Sequence, residues 1–391
     1  MSEDSKQKER PGFFKTGRPE DEVQEPWPSL SGELEAPHAA GSPAAAAPVA
    51  GSPAARERRA QKLAEVRRLV ETLEQATQAR EQSASRVEEM LDLGRTGKYS
   101  THGIESVIEE ILSKGSAPAM KAIAGLKSSD QTYAHCVDMS VILQETYAEM
   151  LARQGKTSSD ANKRFVLMAG FLHDIGKSEV PKEILDSTTR FAPDSREMTI
   201  MRNHATYGAR ILTEMGMHPI HINVAHYHHV KRDTSMFASY PNVAYEQVHP
   251  ITRLASIVDV YQALIGRRRY KKNWVSGRAI EYLRVLRETD FDEAILDNFV
   301  ACIGIYPVGT LVRLSTGDIA FVMSAGPREH PERPAVAVVQ NKAGELLAHH
   351  TLIDLMADTD VHVDEVLDHY EHFNQSEDQA YQVFQSIRIA A

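Results

Sequence analysis

From about Thr101 to Cys302 the apolar residues recur at i, i+3 and i+4. That spacing lays one apolar stripe along an α-helix. It covers Val107–Leu112, His135–Met150, Lys163–His173, Glu197–Met215, Val248–Arg267 and Ala279–Arg287. Pro181, Pro193, Pro219, Pro241 and Pro250 punctuate the connections, where a missing N–H and a fixed φ end helices. A mainly helical domain is therefore expected over residues 100–303. The pattern then changes. Tyr306 to Met323 alternates apolar and polar around Thr316-Gly317-Asp318, a hairpin signal. Ala335 to Glu345 repeats the logic. Residues 304–391 thus read as a small β-rich appendage with a final helix near Val361–Phe373.

The other end divides in two. Residues 1–55 include the low-complexity stretch Glu35–Pro53, which buries too little apolar surface to offset its ordering entropy, so a disordered Pro/Ala-rich tail is expected. Residues 56–95 hold no proline, and glycine first appears at Gly94. Leu63, Val66, Val70, Leu73, Ala84, Val87 and Leu91 follow a seven-residue repeat, interrupted by the polar Thr77 and Arg80. Two readings fit: a coiled coil that forms a homodimer, or one amphipathic helix packed on its own domain.

Composition narrows the function. Two cysteines, Cys136 and Cys302, make neither a disulfide framework nor a C-x-x-C site. A reducing, cytoplasmic setting is expected. Met1 to Lys6 runs into charge and proline, unlike a secretory signal. The longest apolar run, Phe165–Leu172, is far below the roughly 20 residues of a membrane span. A net charge of −10 argues against a general binder of nucleic-acid polymers.

Histidine is unevenly spread: seven of seventeen lie between His173 and His229. An apolar helix, Leu167–Leu172, runs into His173-Asp174, then Gly176 and Lys177. Adjacent helical side chains point about 100° apart, so both can reach one metal only where the helix loosens. Gly176 is expected to supply that end. Imidazole and carboxylate together suit Fe, Mn or Zn, and a carboxylate can bridge two cations. Lys177, one turn on, is placed to meet an anion. His135, His204, His226, His228 and His229 sit on or at the ends of helices. Asp259 lies in an otherwise apolar helix, where a lone acid is costly unless paired or bound to a cation.

The order His135, His173-Asp174-x-x-Lys177, His204, His228-His229 and Asp259 resembles the HD-GYP family of HD-domain phosphohydrolases. Phe171–Leu185, Asp259–Lys271 and Ile305–Leu314 add to the resemblance, which spans about Val107 to Leu355. It implies an HD-type helical bundle, preceded by a long helix and followed by the small β-rich unit. It also implies a centre of two divalent metal ions, Fe or Mn first and Zn or Ni as alternatives. His135, His173, Asp174 and Asp259 would hold one metal. Asp174 would bridge to a second, held with His204, His228 and His229. Lys177, Arg268, Lys271 and Tyr240 would meet the substrate, with Asp174 and Lys177 catalytic. The basic run Arg267–Lys272 fits that reading, since a local positive patch focuses anions despite the overall charge. The implied activity is hydrolysis of cyclic di-GMP, or a related cyclic dinucleotide, by metal-activated water.

The family's second signature, H-H-E-x-x-D-G-x-G-Y-P, is altered here. His228, His229, Asp233, Tyr240 and Pro241 remain, but Val230 stands for the glutamate. Both glycines are gone, and the loop is three residues longer between Asp233 and Tyr240. Gln131 stands where members with a third metal carry a glutamate, so two metals are expected. The altered loop keeps an alternative in play: a receptor or interaction module with signalling partners and no turnover. A third reading is another HD-type nucleotide phosphohydrolase.

Overall fold

The computed structural model describes residues 53–388, apart from residues 125, 127–131, 188, 190, 237, 266–273 and 328. The chain begins with a long helix, α1 (Pro53–Arg95), followed by α2 (His102–Lys114) and α3 (Ala117–Ala124). Next come α4 (Thr132–Arg153) and α5 (Asp160–Leu172), then a 3₁₀ turn at Ile175–Glu179. The short α6 (Lys182–Leu185) and α7 (Arg196–Arg202) lead to α8 (His204–Glu214) and α9 (Pro219–Tyr227). The helical part closes with α10 (Pro250–Ile265), α11 (Ser276–Val285) and α12 (Glu293–Ile303). The tail read for residues 1–55 lies outside the described residues except for its last three, which already belong to α1.

The apolar stripe of α1 is covered by its own chain. Val66, Leu73, Val87 and Leu91 are buried, and α1 packs on α2, α3 and α4. A coiled-coil partner would need the same stripe. The two polar interruptions also find intrachain partners. Thr77 hydrogen-bonds Tyr381, and Arg80 pairs with Asp138 of α4.

Two helices at the centre set up everything that follows. Ser159 caps α5, its hydroxyl accepting from the Asn162 N–H at 3.1 Å. From Val166 to Leu172 α5 is buried all round, as expected of a helix in a protein core. It crosses α4 closely because Gly170 has no side chain: a Cβ there would fall 2.9 Å from the Ser140 Cβ. The Ser140 hydroxyl meanwhile donates to the Leu167 carbonyl. A second core unites α4 and α5 with α9, α10, α11 and α12 through Ile142, Tyr147, Val166, Leu254, Val258 and Phe299.

The C-terminal part is a five-stranded antiparallel sheet: β1 (Leu311–Leu314), β2 (Ile319–Ser324), β3 (Ala335–Gln340), β4 (Leu346–Asp354) and β5 (Val363–Leu367), in the order β4-β3-β2-β1-β5. The expected hairpins are there. Gly317 and Gly344 take positive φ at the β1–β2 and β3–β4 turns, a conformation that favours glycine. The expected final helix is not. Val361, Val363 and Val366 are partly buried on one sheet core, and β5 pairs with β1. Asp368 then caps the short α13 (His369–His372), and the last helix is α14 (Glu377–Gln385). The two faces of β2 divide by period two. Ile319, Phe321 and Met323 join the core of α1–α4 and α14, whereas Ala320 and Val322 join the opposite face.

Candidate metal centre

Local structure explains how distant residues meet. His173 ends α5, and the chain tightens into the 3₁₀ turn, leaving Asp174 at φ −107°, ψ 13°. Gly176 is not a left-handed helix stop as the sequence suggested; it is absent from the positive-φ positions. It is a contact point. A Cβ on Gly176 would overlap the His204 carbonyl, whose carbon would be 2.9 Å away. Gly208, one turn along α8, faces it. Two glycines thus press the His-Asp turn against the start of α8.

The run Glu197–Met215 is correspondingly two helices, α7 and α8, rather than one. His204 begins α8, with its Nδ1 2.6 Å from the Met201 carbonyl. That carbonyl, at the end of α7, is shared between the ring and the backbone N–H of Asn203. On the next helix His218 caps α9, accepting the Ile220 N–H, and Pro219 occupies the first turn. His228 ends that helix and His229 follows. The Ser256 hydroxyl of α10 donates to the His228 carbonyl at 2.6 Å, which clamps α9 to the helix carrying Asp259.

Among the described residues, His204, His228 and His229 form one triad of convergent ligand atoms. His135, His173 and Asp259 form another. Asp174 lies between them. Its Oδ2 is 3.1 Å from His173 Nε2 and 3.9 Å from His135 Nε2. Its Oδ1 is 3.3 Å from His204 Nε2 and 3.9 Å from His228 Nε2. One carboxylate oxygen therefore faces each triad. His135 Nε2 is 3.0 Å from Asp259 Oδ1, and His229 Nδ1 is 4.0 Å from Asp259 Oδ2.

The rings are oriented from behind. His173, His204 and His228 each direct Nδ1 at a main-chain carbonyl, of Gly170, Met201 and Val224, at 2.7, 2.6 and 3.0 Å. A neutral imidazole that donates through Nδ1 keeps a lone pair on Nε2. Those lone pairs point at carboxylate oxygens, which are also acceptors. Nε2 of His173 and Oδ1 of Asp174 are buried and make no hydrogen bond. Acceptors packed face to face, buried and without a donor, are what a cation would satisfy. The residues present fit a divalent metal centre.

The charge balance holds both carboxylates ionised and keeps the imidazoles of His204, His228 and His229 neutral. Burial raises the Asp174 carboxyl, but His173, Lys177 and His204 outweigh it and hold it well below the usual carboxylate range. Asp259 is likewise held well below that range: the hydrogen bond and charge of His135 outweigh burial. Burial opposes charge on His173, yet Asp174 raises it overall. Burial pushes His204 down, His229 far down and His228 to about 3. Cys136 also lies beside His173 and Asp174. Burial and Asp174 push its thiol well above the usual value, so it stays protonated, which is not the ligating form.

These shifts predict an acid-sensitive metal-free protein. His228 sits at about 3, and His221 and His249 at about 4, below an unfolded value near 6.5. As pH falls through that window, the unfolded chain takes up protons that the folded chain refuses, so stability falls. His173 runs the other way, because its raised value favours the folded state in acid. Three depressed groups outweigh one. The metal-free Tm should drop steadily from about pH 7 to about pH 4.5, and a flat or rising Tm would contradict neutral buried imidazoles.

Lys177 ion-pairs with Asp174 Oδ2. Tyr240 stacks on His229, centroids 4.7 Å apart, and lies near His204. The longer loop therefore still returns Tyr240 to the histidines, tied by Lys231 N–H to Ser239 Oγ at 3.1 Å. Asp233 points elsewhere, accepting from Ser235 in an exposed turn. Arg202, which the motif reading did not single out, lies over the Tyr240 ring. Gln262 was also missed. Its amide oxygen accepts from His135 Nδ1, and it stands one turn after Asp259, on the same helix face. Arg268, Lys271 and Gln131 lie outside the described residues. His221 hydrogen-bonds the Phe165 carbonyl, and neither it nor His218 nor His226 joins a triad. A cavity of about 660 Å³ opens on the other side of α10, where Tyr261 and Ile265 line it with α1, α3, α4 and β1; no triad residue reaches it.

Residues 132–264 match the family model described as HD domain. The match covers about a third of the chain. Residues 311–375 match the KOW domain associated with HD domain, which covers the five-stranded sheet. A cyclic di-GMP phosphodiesterase of Pseudomonas aeruginosa, PA4108, is 35% identical over 210 residues, 52% of this chain and 47% of the relative. The 3'3'-cGAMP-specific phosphodiesterase 2 of Vibrio cholerae is 28% identical over 212 residues, 53% of this chain and 35% of the relative. The chain thus spans about half or less of these relatives' length. The solved structure of Bd1817, described as an HDG"Y"P protein from Bdellovibrio bacteriovorus, is 14% identical with a TM-score of 0.42, covering 57% of this chain and 70% of that one. No helix among the described residues is long and apolar enough to cross a membrane.

Proposed function

We propose that this chain is a metal-dependent phosphodiesterase that hydrolyses a cyclic dinucleotide, cyclic di-GMP first among them. The observation that carries the reading is the pair of triads with Asp174 between them. His135, His173 and Asp259 would hold one divalent ion, Fe or Mn before Zn or Ni; His204, His228 and His229 would hold a second. Two such ions, when bound, neutralise charge on a phosphodiester and activate water, an effect worth several kcal/mol of barrier. The protein's own part is positioning. Asp174 fixes the spacing of the two triads, and the carbonyls behind the histidines fix the rings. Lys177 holds Asp174 and offers its charge to a phosphate oxygen. Tyr240, laid over His229, gives a nucleobase an aromatic wall. The relatives' names for cyclic di-GMP and cGAMP phosphodiesterases support the substrate class. A homodimer through residues 56–95 has less support, because α1 already spends its apolar stripe on this chain.

Metal-free protein reloaded anaerobically with Fe(II) or Mn(II) should convert cyclic di-GMP to linear dinucleotide or GMP. Bound metal without turnover would replace this reading with a second one, a nucleotide receptor, which the altered loop His228–Pro241 favours. That receptor should still bind a cyclic dinucleotide in a calorimetric titration.

A further inference from the structure

A buried polar chain runs from the long N-terminal helix to the metal centre. Arg80 of α1 grips Asp138 of α4 with two hydrogen bonds, Nε to Oδ1 and the second guanidinium nitrogen to Oδ2, each 2.7 Å. The side-chain amide of Gln262, on α10, places its nitrogen 3.5 Å from Asp138 Oδ2 and its oxygen on His135 Nδ1. His135 Nε2 then faces Asp259. Arg80, Asp138 and Gln262 are 6%, 2% and 5% exposed. Arg80 lies outside the residues that match the HD model.

We propose that Arg80 and Asp138 are positioning residues that keep His135 competent to bind metal by fixing which way the Gln262 amide points.

The amide has two ends and two orientations. With oxygen toward His135, the ring must donate through Nδ1, and Nε2 keeps its lone pair for a cation. With the amide reversed, its NH₂ would donate to Nδ1. Nε2 would then carry the proton and donate to Asp259, closing the site to metal. An ionised carboxylate only accepts hydrogen bonds. Asp138 therefore takes the NH₂ end of Gln262 and rejects the oxygen end. Arg80 holds the Asp138 carboxylate in place by a bidentate pair. The tautomer of a metal-ligating histidine is set by its other ring nitrogen, and losing such a partner typically costs about 10–100-fold in metal affinity.

This inference rests on the metal centre proposed above, and its test separates the two. The variant is Arg80→Met with Asp138→Leu in the full chain. Removing both charges avoids a stranded buried ion, and apolar replacement of a buried pair is often neutral for stability. Circular dichroism and a melt check the fold. Metal-free protein is titrated with Mn(II) by calorimetry, and nitrogen NMR reads the histidine tautomers, His135 being assigned by His135→Gln. The expected result is a roughly 10–100-fold weakening of one of two binding steps, with the other unchanged. The His135 signal should shift toward the Nε2-protonated form. The exposed pair Arg86 and Glu89 on the same helix serves as control: Arg86→Met with Glu89→Leu should leave both steps intact. Wild type that binds no Mn(II) would overturn the metal centre and the relay together. Wild-type binding matched by a folded double variant would overturn the relay alone. Equal weakening of both steps would mark a general structural defect and also overturn it.

Discussion

Asp174→Asn should abolish turnover of cyclic di-GMP, by at least about a thousandfold, while leaving a folded chain. Asparagine keeps the shape but removes the charge that faces both triads. Losing the several kcal/mol that a two-metal site supplies corresponds to about three powers of ten or more in rate. Metal content should fall with it. Each triad on its own is mostly neutral: burial keeps His204, His228 and His229 uncharged, so that triad depends on Asp174 for anionic character. The other retains Asp259. The variant is thus expected to hold one ion well at most. Bound metal stabilises by mass action, so adding Mn(II) should raise the wild-type Tm clearly and the variant Tm much less. An identical Mn(II)-dependent shift in both proteins would remove Asp174 from the centre.

The same residue shows what a sequence can and cannot convey. His173-Asp174 with Lys177, His204, His228-His229 and Asp259 was legible because short helical segments keep ligand types at readable spacing. The structure draws all of these into contact distance. The HD domain match over residues 132–264 falls within the stretch that the motifs covered. Gln262 was not legible, because an amide in an apolar helix has no chemistry of its own until His135 is seen beside it. Arg80 was misread for a related reason. In a heptad it counts as a weak seam position, yet its partner is Asp138, 58 residues away and on another helix. Pairings of that kind depend on which helices cross. Local rules also failed where tertiary contact overrode them. Val363–Leu367 has enough apolar spacing for a helix, but the open edge of β1 takes it as a strand. Glu197–Met215 reads as one helix, yet the helix breaks at Asn203, where His204 turns in toward the triads.

Gly176 is where that lesson has its largest expected effect. Glycine after a helix usually reads as a left-handed cap, and alanine there would cost little beyond backbone strain. The structure assigns it a different constraint. The 3₁₀ turn carrying Gly176 lies directly on α8, and an added Cβ would overlap the carbonyl of His204 and the backbone nitrogen of Gly208. Both neighbours are main chain inside packed elements, so neither can swing aside as a side-chain tip could. Forcing a methyl into a well-packed contact usually costs about 1–3 kcal/mol and sometimes more; backbone on both sides puts Gly176→Ala at the upper end, about 3 kcal/mol. The displacement would fall between Asp174 and His204, now 3.3 Å apart. A misplacement of about 1 Å can cost 10²-fold in rate. Gly176→Ala should therefore melt well below wild type and, while still folded, lose at least about a hundredfold in turnover and one of its Mn(II) binding steps. Gly216→Ala makes the contrast: Gly216 has positive φ and open space around it, so its cost should be smaller and confined to stability. If Gly176→Ala melted and turned over like wild type, the close crossing of the 3₁₀ turn and α8 would be wrong, and with it the way Asp174 reaches His204.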